Sequence, residues 1–151
     1  VTASPLPAGE AAADDYVLDE QVGHLLRRAH QRATAIFMAE LGDVFDLTPM
    51  QYAALVRLRD AGEQSQNQLG RLTAMDPATA QGVIRRLEER GLVERTADAG
   101  DRRRSLLRLT KEGQALVEAA IPRGERVSAA TLAPLTPAEQ SRFLALLRKL
   151  A

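Results

Sequence analysis

The densest chemistry in the chain is cationic. Residues 102–111 carry Arg102, Arg103, Arg104, Arg108 and Lys111 with no acid, whereas residues 1–20 carry Glu10, Asp14, Asp15, Asp19 and Glu20 with no base. The totals cancel, 20 Lys plus Arg against 20 Asp plus Glu, so a formal charge of zero conceals a local basic patch. Guanidinium groups beside a glycine turn suit the minor groove of a duplex, where negative potential concentrates. Upstream, a helix over 77–90 that turns Ala80, Ile84 and Leu87 inward presents Ala78, Gly82, Arg85 and Glu89 outward, with Thr79, Gln81 and Arg86 on its flanks. Small residues at 78 and 82 let such a helix approach base edges. Gln81, Gly82 and Arg85 are therefore assigned to base reading, and Thr79 and Arg86 to backbone positioning. Taken alone, this reads first as an ordinary amphipathic helix whose Arg85 and Arg86 pair with Glu88 and Glu89. The basic hairpin that follows turns the reading towards DNA.

A second constellation lies near the N-terminus. His24 and Arg28 are one helical turn apart and could hold a carboxylate between them, with His30 a further candidate. Phe37, Met50 and Tyr52 could supply the aromatic and soft walls of an aryl pocket, or be core or interface residues in a chain that is only 3% aromatic. The two histidines, six residues apart, fall about 120° from sharing a helix face, and with no cysteine in the chain no metal site is expected. The absence of cysteine also excludes disulfides, thiol catalysis and thiol switching. There is no Gly-x-Ser-x-Gly, no phosphate-binding glycine loop and no pair of acids with a plausible pocket, so neither catalysis nor a cofactor is expected.

Elements must position these groups. Over residues 15–41 the apolar Leu18, Val22, Leu25, Ala29, Ala33 and Ile36 recur at three and four, which predicts a long helix with one stripe, closed by a left-handed Gly42. Thr48, Pro49 and Gln51 form a capping box that opens a helix over 49–60. Ser65 and Gln68 repeat the pattern for a short helix, and Asp76-Pro77 opens the helix that ends at Gly91. Two short helices joined by a tight turn make a helix-turn-helix candidate. The period then changes: residues 92–96 and 105–109 read as strands around a polar loop. Thr110 caps a helix over 111–132 that Pro122 should kink or break, and Thr136 with Glu139 opens a last helix striped by Phe143, Leu144, Leu147 and Leu150.

A chain of 151 residues, 45% hydrophobic and 26% charged, is of single-domain size and globular composition. No apolar run reaches the roughly 18 to 20 residues of a membrane span, and the first fifteen residues lack the basic start and apolar core of a signal peptide, so a cytoplasmic protein without a membrane partner is expected.

The order helix, helix, helix-turn-helix, hairpin, long helix, terminal helix resembles the MarR family of winged-helix regulators. Three segments carry the resemblance: Leu47-Thr48-Pro49-Met50-Gln51-Tyr52, the run from Val83 to Val93, and Asp101-Arg102-Arg103-Arg104 leading to Leu109-Thr110-Lys111-Glu112-Gly113. The resemblance covers residues from about 16 onwards. It implies a mainly α fold with a small β-hairpin wing: a flexible tail over 1–15, a dimerisation helix over 16–47, a winged helix-turn-helix lobe over 48–110 and dimerisation helices over 111–151. It implies a homodimer on a palindromic DNA operator, released by a small aromatic acid. Arg103 matches the family's groove arginine, which leaves Arg102 and Arg104 as phosphate clamps and Asp101 as the residue that orients a neighbouring arginine. The stretch from Tyr16 to Phe37 is also similar to regulators of nicotinic acid catabolism that sense a hydroxylated nicotinate. The alternatives are a winged-helix module that binds an acidic protein partner, or a regulator of efflux or stress genes.

Overall fold

The computed structural model describes residues 16–101 and 103–151; the tail expected over 1–15 and Arg102 lie outside the described residues. The chain divides into two compact units, one ending at Gln31 and the other running Arg32–Ala151. In the first, a 3-10 helix Leu18–Glu20 precedes α1, which begins at Val22 and continues to Phe37. The apolar stripe predicted there is present but uncovered: Leu18, Val22 and Leu25 are 54%, 65% and 47% exposed.

Gly42 does not close this helix. It sits at φ −60 within a π-helical stretch, Met38–Gly42, that runs into the short α2, Asp43–Phe45, and the left-handed residue is Asp46 at φ 52. The wide turn is held from α6 (Lys111–Leu132): the Glu40 carboxylate takes Arg126 Nε at 3.1 Å, and the Glu40 carbonyl accepts from Arg123 Nη1 at 3.3 Å. Arg32 in turn donates to the carbonyls of Ala130 and Thr131, covering the last turn of α6, where unpaired carbonyls favour a cation.

The caps follow the sequence closely. Thr48 and Gln51 form both halves of a capping box for α3, Pro49–Ala61, and Thr136 and Glu139 do so for α7, Pro137–Leu150. At α4, Gln66–Leu72, Ser65 accepts from the Gln68 N–H as a simple N-cap. Asp76 caps α5, Pro77–Glu89, and Gly91 at φ 67 follows its end. The hairpin is β2, Val93–Ala97, against β3, Ser105–Leu109. A two-residue strand that periodicity could not resolve, β1 at Gln64–Ser65, adds to β3 and gives the antiparallel order β1-β3-β2.

Pro122 neither breaks nor ends α6, which is helical throughout Lys111–Leu132. Proline removes one donor, and the residue four back whose carbonyl would have taken it, Glu118, is exposed. The core of the winged lobe gathers Leu55 and Leu58 of α3, Leu69 of α4, Ala80, Val83, Ile84 and Leu87 of α5, Leu107 of β3 and Val117 of α6. Gly113 lets α6 dock: a Cβ there would stand 2.0 Å from the Leu92 carbonyl oxygen. Thr110 secures the same corner, donating from Oγ1 to the Gly91 carbonyl at 2.6 Å.

Candidate nucleic-acid interface

α5 buries Ala80, Val83, Ile84 and Leu87 and turns Ala78, Gln81, Arg85, Arg86 and Glu89 to solvent. Nothing lies within 4 Å of a Cβ built at Gly82, so this face of the helix is open. Of the ion pairs that an isolated helix would make, one forms: Arg85 Nε lies 3.8 Å from Glu89. Glu88 instead binds Arg95 of β2 at 2.7 Å, and the same guanidinium reaches Gln66 at 3.1 Å and so ties the hairpin to α5 and α4. Thr79 is half-buried and its hydroxyl donates to Asp76 Oδ2 at 2.6 Å, which leaves that oxygen as an acceptor. This side-chain bond, with the Thr79 backbone N–H, holds the Asp76 carboxyl below the usual aspartate pKa.

The other end of α5 is clamped. Arg90 donates to the carbonyls of Phe45, the last residue of α2, at 2.9 Å, and of Asp46, which caps it. This links the orientation of α5 to residues that precede the lobe. Arg86 and Glu89 border a cleft of about 350 Å³ with Asp46, Thr48, Gln51 and Arg90.

At the hairpin tip Arg103 and Arg104 are exposed, and Arg102 lies outside the described residues. Asp101 acts on the backbone: its Oδ1 accepts the Arg103 N–H at 2.9 Å and its carbonyl accepts the Arg104 N–H at 2.9 Å. Asp98 accepts the Gly100 N–H in the same way. The loop is thus braced with the arginine side chains of 103 and 104 outward. Arg108, counted in the basic run, points elsewhere; it pairs with Glu94 at 2.7 Å and Glu63 at 3.9 Å, so the usable positive charge is narrower than the sequence run.

Sequence reading missed the surface beside this tip. Ser65, Gln66, Asn67 and Arg71, from the start and last turn of α4, line a cleft of about 290 Å³ with Arg104 and Ser105. None of these lining residues is an acid, and Arg71 is steadied by Gln68 Oε1 at 2.5 Å. The signal was a polar first turn followed by an arginine one turn later, but only the β1–β3 pairing brings it to the hairpin.

Of the residues read as ligand contacts, His24 and Arg28 lie on one side of α1 and both reach Asp19, at 3.3 and 3.1 Å, while His30 is exposed. In the second unit Phe37 is 7% exposed and packs with Leu41 and Ala120, its ring edge-on to Tyr52 at 5.7 Å and 61°. Tyr52 fits over Gly124, where a Cβ would meet its hydroxyl at 2.1 Å, and burial pushes its phenol above the ordinary pKa against the pull of Arg59. Met50 is 49% exposed.

A helix with a small open face beside a braced, arginine-tipped hairpin defines a winged helix-turn-helix DNA-binding protein. The sequence profile of the MarR family matches residues 45–104. NicR of Pseudomonas putida, an HTH-type transcriptional repressor, is 44% identical over 135 residues, 89% of this chain and 85% of that one. A probable transcriptional regulator from Pseudomonas aeruginosa superposes with a TM-score of 0.86 at 47% identity, covering 89% of this chain and all of that one. BpsR of Bordetella bronchiseptica, whose DNA binding is regulated by 6-hydroxynicotinic acid, superposes with a TM-score of 0.85 at 45% identity, covering 89% of this chain and 96% of that one. The chain belongs to the MarR family.

Proposed function

We propose that this protein is a homodimeric, ligand-responsive repressor of a catabolic operon, held on a palindromic operator and released by a small aromatic acid such as a hydroxylated nicotinate. The observation that carries the reading is the pairing of the open Gln81, Gly82, Arg85 face of α5 with the outward Arg103 and Arg104 of the hairpin. α5 enters the major groove, Arg103 the adjacent minor groove, and Arg86, Arg102, Arg104 and Thr79 meet phosphates, Thr79 through a hydroxyl turned away from Asp76. Similarity to NicR and BpsR supports an aromatic acid, with a nicotinate the leading class. The lobe over 48–110 grips DNA, and residues 16–47 and 111–151 join two copies through apolar surface such as Leu25 and Leu26 on α1 and Phe143, Leu146 and Leu150 on α7, all exposed in the single chain. His24 and Arg28, with His30 near them in sequence, are carboxylate contacts, and Tyr52, with Phe37 behind it and Met50, is an aryl contact.

The ligand acts by population shift: it binds better to dimers whose two α5 helices are spaced wrongly for successive major grooves, about 34–36 Å apart. Effector and operator must then weaken each other by the same factor. A gel shift on the gene's own promoter tests this. Binding relieved by 6-hydroxynicotinate and weakened by Arg103→Ala supports the reading; binding that treats promoter and scrambled duplex alike overturns it.

A further inference from the structure

We propose that Asp19 is an internal competitor for the effector's carboxylate, a latch that the ligand must displace; this rests on the reading of His24 and Arg28 as the carboxylate contacts. One oxygen, Asp19 Oδ1, lies 3.3 Å from His24 Nε2 and 3.1 Å from Arg28 Nη1. The two donors assigned to an external acid therefore already converge on an internal one. Asp19 is delivered from outside α1, by the 3-10 helix Leu18–Glu20, and that turn is tied down by Gln21 Nε2 donating to the Val17 carbonyl at 3.0 Å.

The donors are preset. Arg27 Nη2 lies 3.4 Å from His24 Nδ1, a contact that suits the tautomer with its proton on Nε2, the nitrogen that faces Asp19. The His24 side chain is only 16% exposed, against 60% for Arg28 and 73% for Asp19. The acid is thus the most exposed of the three, and when it leaves, the Arg28 guanidinium is left to water rather than buried. A flat aromatic carboxylate offers the same two donors an anionic oxygen in place of Asp19 Oδ1. A neutral carboxamide keeps one acceptor oxygen but lacks the negative charge that pairs with the Arg28 guanidinium, so it competes with Asp19 on weaker terms.

Exposed ion pairs of this kind are weak, so the latch lowers the apparent affinity through the fraction of molecules in which it is open, by about two- to tenfold. The test is titration calorimetry of the full chain with 6-hydroxynicotinate and with its carboxamide, on wild type, Asp19→Asn, Asp19→Ala and Arg28→Gln. Both Asp19 variants are expected to bind the acid about two- to tenfold more tightly, and Arg28→Gln at least about tenfold more weakly. The carboxamide should gain less from either Asp19 change. If Arg28→Gln loses binding while the Asp19 variants are unchanged or weaker, the latch is wrong and the carboxylate site stands. If Arg28→Gln binds like wild type, or no variant binds the acid, the site and the latch both fall.

Discussion

At the scale of single residues, the proposed function assigns some groups of the winged lobe to reading sequence and others to holding phosphate. Arg85 stands on the open face of α5, 69% exposed and only loosely paired to Glu89. Arg85→Ala should cost about 1–3 kcal/mol of operator binding and relax discrimination at one base position, as read by anisotropy titration against a set of single-base variants. Arg71 lines a polar cleft beside Arg104 that has no acid in its lining, which suits a phosphate, so Arg71→Ala should weaken operator and scrambled duplex alike and lower the salt slope by about 1. Asp76 carries a pH effect. Its bonds from Thr79 depress the folded-state pKa, so its stabilisation is present above the unfolded value and is lost as pH falls through the folded one. Thermal melts of wild type and Asp76→Asn should stay separated down to about pH 4 and converge below it.

At the scale of elements, close approach governs. A Cβ at Gly113 meets backbone oxygen at 2.0 Å, which no side-chain rotation relieves, so Gly113→Ala must push α6 away from Leu92. A loss of about 1–3 kcal/mol follows, seen as a drop in Tm of about 2–4 °C per kcal/mol. The helices were legible because their signals are local: Thr48 and Gln51, or Thr136 and Glu139, meet their partners within one turn. The π-helical stretch at Met38–Gly42 was not legible, because what holds it open is Arg123 and Arg126, 83 and 86 residues away from Glu40 in the chain. Strand β1 and the Gln66, Asn67, Arg71 surface share that cause, since β1 exists only through pairing with Leu106 and Leu107. Arg108 misled for the opposite reason: its charge was visible, but the cross-strand acid Glu94 that consumes it becomes its neighbour only in the β2–β3 register.

At the scale of the whole molecule, charge and apolar surface divide the work. The chain is neutral overall, so attraction to DNA comes from where the arginines stand, and it must be strongly salt-dependent. A dimer that neutralises about six to ten phosphates loses about 10³- to 10⁵-fold in affinity between 50 and 200 mM salt. Exposed Leu25 and Leu26 on α1, and Phe143, Leu146 and Leu150 on α7, are the surfaces that a second copy would cover. Leu146→Glu should therefore shift sedimentation towards monomer and weaken operator binding with it. The measurement that bears most directly on the central claim is the affinity of the purified protein for its own promoter, followed by anisotropy at rising 6-hydroxynicotinate. Nanomolar or tighter binding to a symmetric site, preferred at least about 10³-fold over scrambled duplex and lost on adding the acid, is the predicted result. Equal affinity for both duplexes, or operator binding that the acid leaves untouched, would contradict it.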